Sequence, residues 1–476
     1  MSATMELARF VASKRFPDLP PAAVEKAKQC LLDTLGIMIA ASSFHYGKKI
    51  IPFVVKNGER GNCTLISSKK KISPAMASFA HGTLVEVLET QDGVRFGGIH
   101  PCSTVIPAAL ALGEHASCSG KDLLTAIILG YEVASRIAAS VHPERLFRGF
   151  NATGVCGPFG AIAAGGKILG FSEKELAFAF GIGGFFAPIS SVESFFEPSQ
   201  KIEKFLPVKP MHGGMAAYAG VLSVLLTSEG FAGSPEILET PRRGGFLRLL
   251  ADTPNVDRIL WGLGERYEIE ETYLKPYTAC RHTHGSIQAA LQIVSERKQT
   301  FKEFQKVKVR TYKVGKVVVG DRYTSPESNF VTCQFSLPYM VTVALVDGQV
   351  GPEQLSEARI GDAQVHELAR RVTVDEDPSL TEKYPEKTST AIEVHLPDGS
   401  TMSQFVEIPK GDPRNPLSAE EVKKKFLRLT EGLLSAQKQK KLIQAVEHLE
   451  EMKDIALLTR LLSPMGGKAM GVKIQA

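Results

Sequence analysis

The sequence predicts a mainly α protein. Both chain ends, residues 1–267 and 410–476, build one large all-helical domain, and a smaller α+β lid domain, residues 268–409, is inserted between them. Three observations predict this. Apolar residues recur at helical spacing through about the first 265 positions. The period changes to two after about residue 268. Helical spacing, opened by a capping signature, returns from about residue 417. A chain of 476 residues is also too long for one compact core, so a division into two domains is expected.

The elements follow in order. A helix over 22–41 opens after Pro20-Pro21 and carries Val24, Ala27, Cys30, Leu31, Leu35 and Ile37 at helical spacing. Ser73-Pro74 starts another, and Leu123–Ala139 is a third. Ser172 and Glu175 form a capping box ahead of an apolar run. Lys209–Ser228 is helical, with Gly213, Gly214 and Gly220 permitting close packing. Then Val307–Tyr312 alternates as a half-buried strand, and Arg371–Asp375 is a second. Ala391–Leu396 and Thr401–Val406 flank Pro397-Asp398-Gly399-Ser400 as a β-hairpin. Helices over 282–296, 333–346 and 363–371 cover this sheet. Pro409–Pro416 is the crossing back to the helical domain, and helices over 418–431, 435–449 and 453–462 follow. Ser418 and Glu421 form the capping box of the first of these.

Composition narrows the function classes. Hydrophobic residues are 43% and charged residues 22%, as in soluble globular proteins. A net charge of +5 over this length, with no basic stripe, argues against nucleic-acid binding. Lys69–Lys71 and Lys423–Lys425 read as solvated faces. Seven dispersed cysteines without a CxxC pair read as reduced thiols, which predicts a cytoplasmic protein. No secretory signal is expected at the N-terminus. No uncharged apolar run reaches the roughly 18 residues of a membrane span, so no membrane partner is expected.

Gly154, Gly157 and Gly160 lack the spacing and the preceding strand of a dinucleotide site, and Gly165-Gly166-Lys167 is not a phosphate loop. Small residues for helix packing account for both. Three polar clusters stand out instead. Lys275-Pro-Tyr277-Thr-Ala-Cys280-Arg281-His282-Thr-His284 sets cationic and titratable groups at the mouth of an apolar helix, an arrangement suited to an anion. Cys280, His282 and His284 at every second position would share one side of a strand. No fourth ligand is evident, and Lys275 and Arg281 would repel a cation, so no metal is expected. The second cluster is Glu86, Glu89, Asp92 and His100: Asp92 falls near a helix end, followed by a flexible loop with Gly93, Gly97 and Gly98. The third is Lys209-Pro-Met-His212, which opens a helix whose N-terminus adds positive potential.

His81-Gly, Asp92-Gly, His100-Pro with Val105-Ile-Pro-Ala-Ala, Val208-Lys-Pro-Met-His212-Gly-Gly, Lys275-Pro-Tyr with Cys-Arg-His-Thr-His284, and Gln334-Phe-Ser-Leu-Pro-Tyr339 together resemble the MmgE/PrpD family, over nearly the whole chain. The family includes 2-methylcitrate dehydratase, cis-aconitate decarboxylase and iminodisuccinate epimerase. The resemblance implies a helical domain with an inserted α+β lid, a site between the two, a homodimer, and no cofactor. It implies a lyase of dehydratase type that removes a proton alpha to a carboxylate of a hydroxylated di- or tricarboxylate. In that reading Asp92 and His100 are the acid/base pair, with His282 and Tyr277 assisting. Lys209, His212, Lys275, Cys280 and Arg281 bind the substrate. The chain departs from the family pattern at Glu89, Gln91 and Asn151, and at Cys280, where the decarboxylase has histidine. Those departures leave three alternatives open: a decarboxylase, an epimerase or isomerase, and a non-catalytic polycarboxylate-binding homologue.

Overall fold

The computed structural model describes residues 2–189, 191–195, 197–240, 245–296 and 304–463. It is mainly α. The helices Pro74–Val87, Val105–His115, Gly120–Ser140, Ala152–Ile168 and Met211–Ser228 pack on one another as the centre of the helical part. Their contact faces carry small residues because the backbones run close. A Cβ at Gly160 would lie 2.7 Å from that of Ala134, and one at Gly220 would lie 2.4 Å from that of Ala161. Cβ atoms at Gly165 and Gly166 would likewise lie 2.4 Å from Leu112 and 2.6 Å from Leu176, so these glycines and Gly160 are packing residues. Pro21–Ser43 begins at its prolines, and the capping boxes at Ser172 and Ser418 both form, their hydroxyls accepting from Glu175 N and Glu421 N.

The later segment holds a four-stranded sheet. Lys306–Thr311 pairs in parallel with Val372–Glu376 and antiparallel with Thr390–His395, which pairs with Thr401–Val406. The register aligns Val372, Val307 and Val394 in one row and Val374, Val309 and Ile392 in the next. All six are buried, and the helices His284–Glu296 and Leu337–Asp347 pack on the sheet. The hairpin turns at Gly399, whose φ of 84° lies in the left-handed region that glycine favours.

Three local expectations differ. The helix expected over 333–346 is two, Phe330–Gln334 and Leu337–Asp347. Ser336 caps the second helix by accepting from Tyr339 N at 3.2 Å, and Pro338 lacks the N–H that a continuous helix would need. Arg281–Thr283 is a short 3-10 turn leading into the next helix, so Cys280, His282 and His284 do not line one side of a strand. Lys425 is not on a solvated face. It is buried in the helix Ala419–Leu429, which packs on Pro21–Ser43, and it pairs with the buried Asp33 at 2.7 Å. It also donates to the Thr90 carbonyl at 2.8 Å, tying the C-terminal helices to the segment that leads to His100.

Candidate active site

The helix Pro74–Val87 delivers Glu86 on its last turn, and the chain then turns at Glu89, whose φ is +51°. A non-glycine residue there is held by its surroundings. Glu86, Glu89, Thr90, Gln91 and Asp92 are all buried. Gly93-Val94 then pairs antiparallel with Thr272-Tyr273, where a flexible loop was expected. A Cβ on Gly93 would come within 2.3 Å of the Tyr273 hydroxyl and 2.9 Å of His100 Nδ1, so only glycine fits between them.

His100 is positioned twice. Its backbone N–H donates to Thr153 Oγ1 at 3.0 Å. Its Nδ1 lies 2.6 Å from the Asp92 carbonyl oxygen. A carbonyl only accepts, so Nδ1 carries the proton and Nε2 the lone pair. Burial, with Lys275 adding to it, pushes the imidazole down to about 4, so it is neutral near pH 7.

The carboxylate of Asp92 does not face the same space. One oxygen accepts from the Tyr131 hydroxyl at 2.6 Å and the other from Cys102 N at 3.3 Å. Burial pushes this carboxyl up, against those hydrogen bonds. The structure thus brings Asp92 to His100 through its main-chain carbonyl rather than as a facing acid/base partner.

Two lysines predicted to hold substrate already hold carboxylates. Lys209 donates to Glu86 Oε2 at 2.8 Å and also to Glu89, and Lys275 donates to Glu89 Oε1 at 2.7 Å. Burial opposes all of these charges, but Lys209 and Lys275 hold Glu89 well below the usual carboxylate range. Glu86 is likewise pulled to about 2, against burial, by His212 and Lys209. The His212 ring stacks on Phe195 with centroids 4.9 Å apart, and its Nε2 lies 3.4 Å from Glu86.

The opposite wall comes from the later segment. Arg281 donates to the carbonyls of Lys410 and Pro409 at 3.0 and 3.3 Å and lies over the Tyr273 ring. His282 Nδ1 is 2.6 Å from the Tyr312 hydroxyl, and Tyr312 stacks on Tyr384. Burial, then Arg281, pushes His282 down to about 4. Burial pushes the Cys280 thiol up to about 11, so it is neutral as well. His284 is turned away, bonded to the Ala279 carbonyl at 3.0 Å, with the Tyr277 ring against it.

Between the walls lies a cavity of about 130 Å³. Of the predicted residues, His100, Lys209, His212, Cys280, Arg281 and His282 line it. Lys275 sits buried behind Glu89, while Asp92 and Tyr277 are not on its surface. Sequence reasoning missed Arg95, Tyr273, Tyr384, His142, Arg145 and Asp412. Arg145 comes from the short helix Glu144–Phe147 and has no motif to mark it. Four cationic side chains (Arg95, Arg145, Lys209 and Arg281) line the cavity against two carboxylates, Glu89 and Asp412. A neutral, oriented imidazole beside an excess of positive charge can take a proton from an anionic molecule.

Fold and site together define a mainly α protein whose buried cationic cavity is closed by side chains from a later α+β segment. The chain belongs to the MmgE/PrpD family: the family's N-terminal domain matches residues 5–259 and its C-terminal domain residues 277–451. It is 24% identical to cis-aconitate decarboxylase-like protein oryM of Aspergillus oryzae over 97% of both chains. It is 26% identical to the cis-aconitate decarboxylase of Mus musculus, over 97% of this chain and 93% of the relative. A probable 2-methylcitrate dehydratase of Saccharomyces cerevisiae is 24% identical, over 82% of this chain and 78% of the relative.

Proposed function

We propose that this protein is a lyase acting on a citrate-type di- or tricarboxylate, by proton transfer at the carbon next to a carboxylate. The observation that carries this reading is His100: a neutral imidazole with Nδ1 fixed by the Asp92 carbonyl, in a cavity with a cationic excess. Relatives named for citrate and aconitate chemistry support the substrate class.

In the first reading the reaction is loss of water. His100 Nε2 takes the proton alpha to the carboxylate, and negative charge moves onto that carboxylate. Arg281, on the opposite wall, stabilises the charge as it develops. The C–O bond to the neighbouring hydroxyl then breaks, and the leaving oxygen takes a proton and departs as water. His282, hydrogen-bonded to Tyr312 on the opposite wall, takes up a proton as the anionic substrate enters and supplies it to the leaving oxygen. Burial is the main reason both histidines are neutral, with Lys275 and Arg281 adding to it, and an incoming polycarboxylate raises their basicity by offsetting those cations. Asp92 is then a positioning residue for His100, and Tyr277 takes no part.

The second reading is loss of CO2: the C–C bond to a carboxylate breaks and the carbon takes a proton. The relatives named cis-aconitate decarboxylase favour it, since they align over 97% of this chain and the yeast relative named dehydratase over 82%. We also propose a cytoplasmic homodimer, which light scattering would check for mass.

The test is incubation of the purified protein with 2-methylcitrate, citrate and cis-aconitate, followed by proton NMR. An alkene formed from a hydroxy acid supports the first reading, and CO2 released from cis-aconitate supports the second. Exchange of the alpha proton with solvent deuterium, without loss of water or CO2, would instead indicate an epimerase. A folded protein that transforms none of the three acids would overturn the lyase proposal.

A further inference from the structure

Two fully buried arginines in this molecule are treated differently. Arg136 pairs with Glu132 at 2.6 Å and donates to four main-chain carbonyls, so its charge is matched inside the helical core. Arg145 is 2% exposed, and among the described residues no carboxylate lies within ion-pair distance of it. Its Nη1 donates to the Phe150 carbonyl at 2.5 Å and its Nη2 to the Gly97 carbonyl at 3.1 Å. Its other near polar neighbours are neutral: His142, with Nδ1 at 3.5 Å, and the Cys156 thiol and Tyr384 hydroxyl, both pushed up to about 12 chiefly by burial. Unlike Arg136, Arg145 lines the cavity.

A buried guanidinium without a counter-ion is costly, and carbonyls fix its direction without cancelling its charge. A neutral donor could tie Gly97 to Phe150 as well. The other cations of the cavity are less available. Lys209 holds Glu86 and Glu89. Arg95 and Arg281 both lie 3.9 Å from Asp412, and Arg95 also faces Glu271 and Glu386 at 3.6 Å. The uncompensated charge of the site is therefore at Arg145.

We infer that Arg145 is the residue that receives a carboxylate of the substrate, so that the lysines predicted for this task, Lys209 and Lys275, instead set the charge and geometry of Glu86 and Glu89. The inference rests on the polycarboxylate reading above and deepens it. The substrate must carry a carboxylate that reaches the Arg145–His142–Tyr384 end of the cavity while its reacting carbon lies against His100. A monocarboxylate would satisfy only one of these demands. The ligand class is an acid with at least two carboxylates on a short carbon frame.

The experiment titrates the intact protein with citrate and with cis-aconitate by calorimetry, alongside Arg145→Gln and Arg145→Lys. Loss of one charge-assisted contact should weaken binding on the order of 10- to 100-fold in Arg145→Gln, with partial recovery in Arg145→Lys. For whichever acid turns over, KM should rise by the same factor while kcat moves much less, a split that a merely structural role would not produce. Should both variants fail to fold, a crystal structure of the unaltered protein with citrate decides: a carboxylate on the Arg145 guanidinium is expected. Affinity within twofold of the unaltered protein in a folded variant would overturn the inference. So would citrate bound without touching Arg145, or no binding of either acid. Citrate seated on Arg145 with no acid transformed would remove the lyase proposal and leave this one standing. Normal turnover with unchanged KM in Arg145→Lys would do the reverse.

Discussion

At the scale of single residues, the site depends on His100 and on the small space that sets it. His100→Ala should lower turnover about 10²- to 10⁴-fold, the usual contribution of a general base, while leaving the melting temperature close to that of the unaltered protein. Steady-state kinetics and circular dichroism check both, and undiminished turnover would remove His100 from the mechanism. Gly93→Ala tests the space. Its methyl would meet Tyr273 and His100 within 3 Å, so one of them must move. We expect a stability loss of about 1–3 kcal/mol, typical of overpacking, together with lower turnover, read by urea denaturation and by kinetics. These residues show how far the site could be read from sequence. His100, Lys209, Arg281 and His282 carry chemistry that their residue types announce, and each lies at the cavity. Asp92 was placed by type as an acid, but which of its atoms meets His100 depends on a fold that turns the carboxylate toward Tyr131. Arg145 was invisible because its significance lies in what is missing around it.

At the scale of elements, local signals were legible where one residue decides the local structure. Ser172 and Ser418 each cap a helix through the residue three positions on. The prolines at 20–21 open a helix, and the period-two runs form the sheet with its valine rows in register. Ser418→Ala should cost about 1 kcal/mol, as lost N-caps do, measured as a lower urea midpoint at unchanged slope. Elements that long-range contacts shape were harder to read. Gly93-Val94 looks like a loop on its own and becomes a strand because Thr272-Tyr273, far along the chain, pairs with it. Lys425 looks like one of three surface lysines. It is buried because Asp33 sits opposite, on a helix nearly four hundred residues earlier. The break between Gln334 and Leu337 was readable from Ser336 and Pro338, but the apolar run across it masked the signal.

At the scale of the whole molecule, two kinds of buried titratable group bear on stability, and they respond differently. The Lys425–Asp33 pair joins the C-terminal helices to Pro21–Ser43. Lys425→Ala leaves Asp33 buried without its partner and should cost about 3–5 kcal/mol, visible as a large fall in the urea midpoint. The second kind is the set of buried histidines. Seven of the eleven are pushed below the ordinary imidazole value, each chiefly by burial: His45, His81, His100 and His282 to about 4, His142 to about 3, and His212 and His284 also downward. A histidine that is neutral when folded but titrates near 6.5 when unfolded binds more protons in the unfolded chain between those values. Its contribution is whole above about 6.5 and is lost as pH falls toward about 4. Buried carboxyls act in the opposite direction. Burial pushes Glu132 up to about 7, and Asp33 and Asp92 upward as well, so each favours the folded chain as pH drops. Seven histidines lose their contribution over this interval, against three buried carboxyls that gain. Against burial, Glu86 is held low by His212 and Lys209 and Glu89 by Lys209 and Lys275, so both lose their contribution only at more acid pH, below the unfolded value near 4.5. Urea midpoints should therefore fall steadily between pH 7 and pH 5. Substituting His81, which is buried away from the cavity, with an apolar residue of similar size should flatten part of that slope without affecting turnover at pH 7. A midpoint that is level or rising over this interval would show that the carboxyls, not the histidines, govern the acid limb.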